Sequence, residues 1–142
     1  MKMRRNRGFT LIELLVTIAV VAIIASMAVP AFANLTRAQN LNRSTSELIG
    51  KIQEARMKAV MERTTVTVAL NSAAADTPTQ LNWMPQGTAV LSGTSATTIA
   101  FLLNGGVAAD TTFEVCAIAG GNSREFTVSR MGVVQRVIEG TC

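Results

Sequence analysis

The chain has no histidine and no tyrosine, and aromatic residues make up only 4% of it. Losing histidine removes the commonest general base, and losing tyrosine removes a further acid. Two cysteines without any histidine cannot furnish the four ligands of a structural zinc site, so no metal is expected. One tryptophan and five scattered phenylalanines give no platform on which bases could stack. Serine and threonine are plentiful, yet none lies in a Gly-x-Ser-x-Gly elbow. Gly105-Gly106 and Gly120-Gly121 lack the Gly-Lys-Ser/Thr ending of a phosphate-binding loop and read as turns. The composition therefore points away from an enzyme and calls for no cofactor.

Charged residues are also scarce, at 15%, and they are unevenly placed. The formal net charge is +4, but Lys2, Arg4, Arg5 and Arg7 supply four of the thirteen basic side chains. Beyond residue 8, nine basic side chains face nine acidic ones. The excess is a topology signal that keeps the N-terminus in the cytoplasm and sends the remainder outward. From Phe9 to Val29 runs an apolar stretch without lysine or arginine. As a helix it spans roughly 30 Å, the thickness of a bilayer's hydrocarbon layer.

One carboxylate, Glu13, interrupts this stretch. A charge at mid-membrane depth costs about 3 kcal/mol on insertion scales, so a lone one marks a functional site by default. If the chain is cut after Gly8, Phe9 gains a free ammonium that can pair with Glu13 in the same chain or a neighbouring one. A secretory signal is cut after its apolar core. A cut after Gly8 would precede that core and keep the anchor.

Gly8-Phe9-Thr10-Leu11-Ile12-Glu13, after a basic leader and before an apolar helix, resembles the class III leader junction of type IV pilins and type II secretion pseudopilins. The resemblance implies that a prepilin peptidase cuts between Gly8 and Phe9 and methylates the new Phe9 amine. Glu13 then takes the family's assembly and register position. Pro30 falls where many pilins carry a proline that kinks the helix.

Beyond Pro30, Ala38, Leu41, Thr45, Leu48, Ile52, Ala55 and Ala59 recur at spacings of three and four, which makes one apolar stripe along a helix. Glu47–Lys51 and Glu54–Lys58 are expected as i,i+4 ion pairs. After Glu62 the β-branched run Thr65–Leu70 reads as a strand. Residues 71–80 have loop composition. Further strands are expected at Ala89–Leu91, Thr98–Leu103, Thr112–Ile118, Arg124–Ser129 and Val133–Ile138, with short spacings that favour antiparallel pairing. The expected class is α+β: a long N-terminal helix packed on an antiparallel sheet. The expected divisions are a removed leader (1–8), a transmembrane and polymerisation helix (9–30), its amphipathic outer half (31–63) and a β-domain (64–142). Cys116 and Cys142 both fall in the exported part, where an oxidising compartment favours a disulfide over two free thiols.

A second resemblance narrows the family. Ala55-Arg56-x-x-Ala59-x-x-x-Arg63-x-x-Val66, Ile99-x-Phe101-x-x-x-Gly105 and Val115-Cys116 are similar to the GspH/FimT branch. That branch holds minor pilins and pseudopilins. It implies as partners other minor and major pilins, a prepilin peptidase, an inner-membrane assembly platform and the membrane itself. The implied location is a single pass of the bacterial inner membrane, with the C-terminal domain in the periplasm, and the pilus after assembly. The expected role is a minor type IV pilin that primes assembly or joins the tip complex. Two alternatives stand beside it. One is a type II secretion pseudopilin. The other is DNA uptake, since some FimT-like relatives bind DNA through a Gly-Arg-x-Arg motif. The matching stretch here is Gly132-Val133-Val134-Gln135, with Arg130 and Arg136 just outside, so neither arginine position of the motif is filled.

Overall fold

The computed structural model describes residues 9–142, so Gly8 and the basic leader lie outside the described residues. One helix, α1, runs from Leu11 to Glu62. Seven strands follow: β1 (Val66–Leu70), β2 (Gln80–Trp83), β3 (Val90–Leu91), β4 (Thr98–Phe101), β5 (Thr111–Cys116), β6 (Asn122–Val128) and β7 (Ile138–Thr141). The chain divides into two units, one ending at Leu35 and one from Thr36 to Cys142.

The first unit is the apolar part of α1. Its large side chains, among them Leu11, Leu14, Ile18, Val21 and Ile24, are all exposed. It is long and apolar enough to cross a bilayer. The two hydroxyls in this stretch are satisfied inside the helix. Thr17 Oγ1 donates to the Leu14 carbonyl at 2.8 Å, and Ser26 Oγ to the Ile23 carbonyl at 2.7 Å. Neither needs a partner in lipid. The helix continues through Pro30.

In the second unit α1 buries Leu41, Ser44, Thr45, Leu48, Ile52, Ala55 and Ala59. The stripe is the expected one, except that Ala38 is exposed and Ser44 joins. Ser44 Oγ accepts from the Gln86 amide at 2.8 Å, and Thr45 Oγ1 donates to the Leu41 carbonyl at 2.8 Å, so both buried hydroxyls are paired. The stripe packs on Val66, Val68, Phe101, Phe113, Val115, Phe126 and Val128, all fully or almost fully buried. Phe113 and Phe126 face each other across β5 and β6, with ring centroids 5.6 Å apart. Such a cross-strand aromatic pair helps to fix the register.

The strands form two sheets, ordered β2-β1-β4 and β3-β5-β6-β7. One pairing departs from the antiparallel expectation: β1 and β2 run parallel, from Thr67 opposite Gln80 to Leu70 opposite Trp83. Asn71, at φ 54°, turns the chain out of β1. Residues 71–79 then return it to the start of the strand. Asp76 holds that return in place. One carboxylate oxygen accepts the Asn82 amide at 2.7 Å, and the other meets Lys51 Nζ on α1.

This contact changes the ion pairs on α1. Lys51 turns to Asp76 and to Glu54 at 3.6 Å, and Glu47 pairs instead with Arg43 at 2.9 Å. Lys58 Nζ reaches the Thr77 carbonyl at 3.5 Å, so neither expected i,i+4 pair forms.

The Lys51 ammonium, with the Asn82 amide second, holds the Asp76 carboxyl below its ordinary value of 3.8. Hydrogen bonding to Asp76 in turn raises the Lys51 ammonium above 10.5, against a smaller opposing effect of burial. A lowered carboxyl contributes stability above its unfolded pKa and loses it as pH falls through the folded one. A raised ammonium contributes below its unfolded pKa and loses it as pH rises through the folded one. The pair should therefore act fully between about pH 4 and pH 10. Its partners are 29% and 39% exposed, which limits the gain to about 1 kcal/mol. Asp76→Asn should lower the urea midpoint slightly at pH 7 and flatten its fall below pH 4. An unchanged acid limb would contradict this assignment.

A disulfide joins Cys116, at the end of β5, to Cys142, with Cα atoms 6.1 Å apart. It closes a loop with a sequence separation of 26 and, on the chain-entropy account, contributes about 3 kcal/mol. The Cys142 amide also donates to the Gly121 carbonyl at 2.9 Å. Together these hold the exposed strand β7 against β6. Replacing both cysteines with serine should lower unfolding stability by about that amount in urea titration. A loss well under 1 kcal/mol would show that β7 holds its place unaided.

Candidate functional site

The site begins where the apolar helix starts. Thr10 is its N-cap. The Glu13 amide donates to Thr10 Oγ1 at 3.3 Å, and the Leu14 amide to the Thr10 carbonyl at 3.2 Å. The spacing Thr-x-x-Glu is that of a capping box. Threonine there satisfies a helix donor that would otherwise lack a partner, which matters most where no water is at hand. Thr10 is the residue that sequence reasoning overlooked, although its signal lies within the junction itself.

Glu13 falls in the first turn of α1, where a negative charge opposes the positive end of the helix dipole. Phe9 precedes the helix and is 83% exposed. Among the described residues, the large side chains around them are apolar and outward-facing, including Leu11, Ile12, Leu14 and Leu15. The apolar part of α1 carries, among the described residues, this one charged side chain, four residues along from Phe9.

The cationic candidates lie elsewhere. Arg130 and Arg136 are exposed, on either side of the turn at Gly132. The Arg130 amide donates to an Asp110 carboxylate oxygen at 2.7 Å, which places a negative charge beside the first of them. Gly132, at φ 74°, serves that turn, and its amide donates to the Ser129 carbonyl at 2.7 Å. The nearby guanidinium of Arg56 is turned to the Gly105 carbonyl at 3.3 Å. Glu114, Cys116 and Cys142 come close to one another, but both thiols are spent in the disulfide, which leaves no metal site there.

Residues 3–29 match the prokaryotic N-terminal methylation motif. Residues 44–132 match the family described as type II transport protein GspH, which is well over half of the chain. The chain belongs to the GspH family. It is a pilin-like protein, a minor pilin or pseudopilin of the GspH/FimT branch. Two curated relatives, each described as "Fimbrial protein" from Pseudomonas aeruginosa, are 33% identical to it over 60 residues. The match covers 42% of this chain and 38% of each relative, so this GspH-family protein aligns with about two fifths of their length. No solved structure matches it. The matched families are those of structural subunits. The apolar part of α1 anchors this GspH-family protein in a membrane, and its C-terminal domain is soluble.

Proposed function

We propose that this GspH-family protein is a minor type IV pilin that primes pilus assembly or sits in the tip complex. The observation that carries the reading is the lone Glu13 carboxylate in the first turn of an exposed apolar helix. After cleavage between Gly8 and Phe9 and methylation of Phe9, the Phe9 ammonium of one subunit neutralises Glu13 of the next. In a low-dielectric bundle a subunit out of register leaves two charges unpaired, so the pair selects one axial position. The relatives' description as fimbrial proteins and the presence of Pro30 support a pilus over a secretion machine. The domain divisions follow from this: leader 1–8, membrane and polymerisation helix 9–30, outer helix 31–63 and β-domain 64–142. The β-domain then faces the periplasm, where the disulfide is stable. The partners are other pilins, the prepilin peptidase and the inner-membrane assembly platform.

Processing is tested by mass spectrometry of protein from cells with active peptidase. The N-terminus should be methylated Phe9, and an intact Met1 leader would rule the reading out. The family's description also fits a type II secretion pseudopilin, which differs in the machine served. DNA uptake through Arg130 and Arg136 is the remaining alternative. A salt-sensitive DNA mobility shift, lost when both arginines become alanine, would favour it over pilus priming.

A further inference from the structure

Two acidic residues face each other across β5 and β6. Glu114 lies directly opposite Glu125 in the register of the two strands. The Glu114 amide and carbonyl turn the other way. Ser95 Oγ accepts that amide at 2.8 Å and donates to that carbonyl at 3.2 Å, and the Ser92 amide reaches the same carbonyl at 2.9 Å. Toward β6 the pair is therefore a non-hydrogen-bonded one, in which side chains come closest. Like charges so placed destabilise a sheet. Among the described residues neither carboxylate takes part in an ion pair. Cys116 stands two residues beyond Glu114 on the same face of β5. The disulfide brings Cys142 to it, so a Glu114 carboxylate oxygen and both Sγ atoms all lie within 4.8 Å of one another. Cys142 is exposed, Glu114 half-buried and Cys116 only 2% exposed.

In the oxidised chain both sulfurs are occupied. We propose that opening the disulfide turns this corner of the sheet into a binding site for a thiophilic divalent cation of the zinc class, held by Glu114, Cys116 and Cys142. A dithiol opens the bond by exchange. It gives up two electrons and two protons, closes its own S–S bond and leaves both cysteines as thiols. The cation then displaces the two thiol protons and takes two thiolates and one carboxylate as ligands. Water fills the fourth position of a tetrahedral set. The two sulfurs alone are too few, and the alternation of β5 adds the oxygen that makes three. Sulfur donors select zinc over magnesium or calcium, which prefer oxygen. The bound charge also relieves the repulsion between Glu114 and Glu125. Ser95 fixes the Glu114 backbone, so one ligand is set in place before the cation arrives. The site is open to a chain that folds before its thiols pair, or whose bond has been reopened. It does not depend on the pilus reading.

The test takes the full-length protein in detergent, reduced without oxygen by a phosphine, which does not compete for the metal as a dithiol would. Co²⁺ is the spectroscopic probe and Zn²⁺ its competitor. The reduced chain should bind one Co²⁺, with sulfur-to-metal charge-transfer and tetrahedral absorption, and one equivalent of Zn²⁺ should bleach both. The oxidised chain should show neither. Glu114→Gln should weaken Zn²⁺ binding at least tenfold while the sulfur absorption stays. That change removes a like-charge contact, so the variant should fold as firmly as its parent, and emission from the one tryptophan checks that it does. Glu139→Gln, at an exposed carboxylate paired with Arg124, should leave the affinity unchanged. Zn²⁺, and not Mg²⁺, should also raise the urea midpoint of the reduced chain. A reduced chain without the cobalt spectrum, an equal spectrum from the oxidised chain, or a Zn²⁺ affinity untouched by Glu114→Gln would overturn the site. A midpoint that Zn²⁺ leaves unmoved would do the same.

Discussion

Glu13→Ala should leave the protein in the membrane and take it out of the filament. The two effects have opposite signs, which makes the experiment decisive. Removing the carboxylate spares about 3 kcal/mol of insertion cost, so the membrane-bound pool should hold steady or rise. The helix start should survive as well, because Thr10 Oγ1 accepts from the Glu13 amide and not from its side chain. In the assembly, however, the Phe9 ammonium of the neighbour would be buried without a partner. Breaking one side of a buried pair costs about 3–5 kcal/mol, or more than about 100-fold in incorporation. The measurement is the ratio of this subunit in sheared filaments to that in membranes, with its companions supplied normally. Glu13→Gln should fail nearly as badly, since it keeps the shape and loses the charge. Undiminished incorporation of either variant would refute the pairing.

Gly132→Ala should be the most damaging single methyl in the soluble unit. Gly132 has φ 74° and is buried. A Cβ there would stand 2.0 Å from the Gly105 carbonyl oxygen and 3.0 Å from Arg56 Nε. The neighbour is backbone in a turn that is itself closed by the Gly105 amide on the Leu102 carbonyl at 2.8 Å. It cannot swing away as a side chain would. A left-handed conformation costs a non-glycine residue about 1–2 kcal/mol, and overpacking adds about 1–3 more. A total near 3 kcal/mol should lower the melting temperature by about 10 °C. Gly93→Ala is the matched control, since its Cβ meets nothing within 4 Å. It should be neutral or slightly stabilising. Equal melting temperatures for the two variants would mean that the Gly105–Gly132 contact is not the constraint argued here.

Periodicity told the truth where burial was uniform and misled where distant contacts decide. The stripe from Leu41 to Ala59 was legible because every third or fourth residue enters the same buried core. Strand β2 was not, because Gln-Leu-Asn-Trp contains no β-branched residue and follows a loop composition. It is a strand because β1 offers it a parallel edge and Asp76 fixes its entry. The last strand was expected at Val133–Ile138 and lies at Ile138–Thr141. There the turn closed by Ser129 and Gly132 occupies the earlier residues, leaving only an isolated bridge from Val134 to Val128. The disulfide then holds the exposed residues after it in the sheet. At the candidate site, Phe9 and Glu13 stood out as chemistry against apolar surroundings. Thr10 did not, because its role is a local hydrogen bond that charge and hydropathy cannot register.

The parallel union of β1 and β2 also sets an order of events for a newly made chain. Antiparallel neighbours such as β5 and β6 can zip from a tight turn, each bond following the last. Strand β2 has no such route. Residues 71–79 must first be gathered and their entropy surrendered before a single rung is gained. Pairing at that edge therefore waits on the ordering of residues 71–79, and the lone tryptophan, opposite Leu70, is placed to report it.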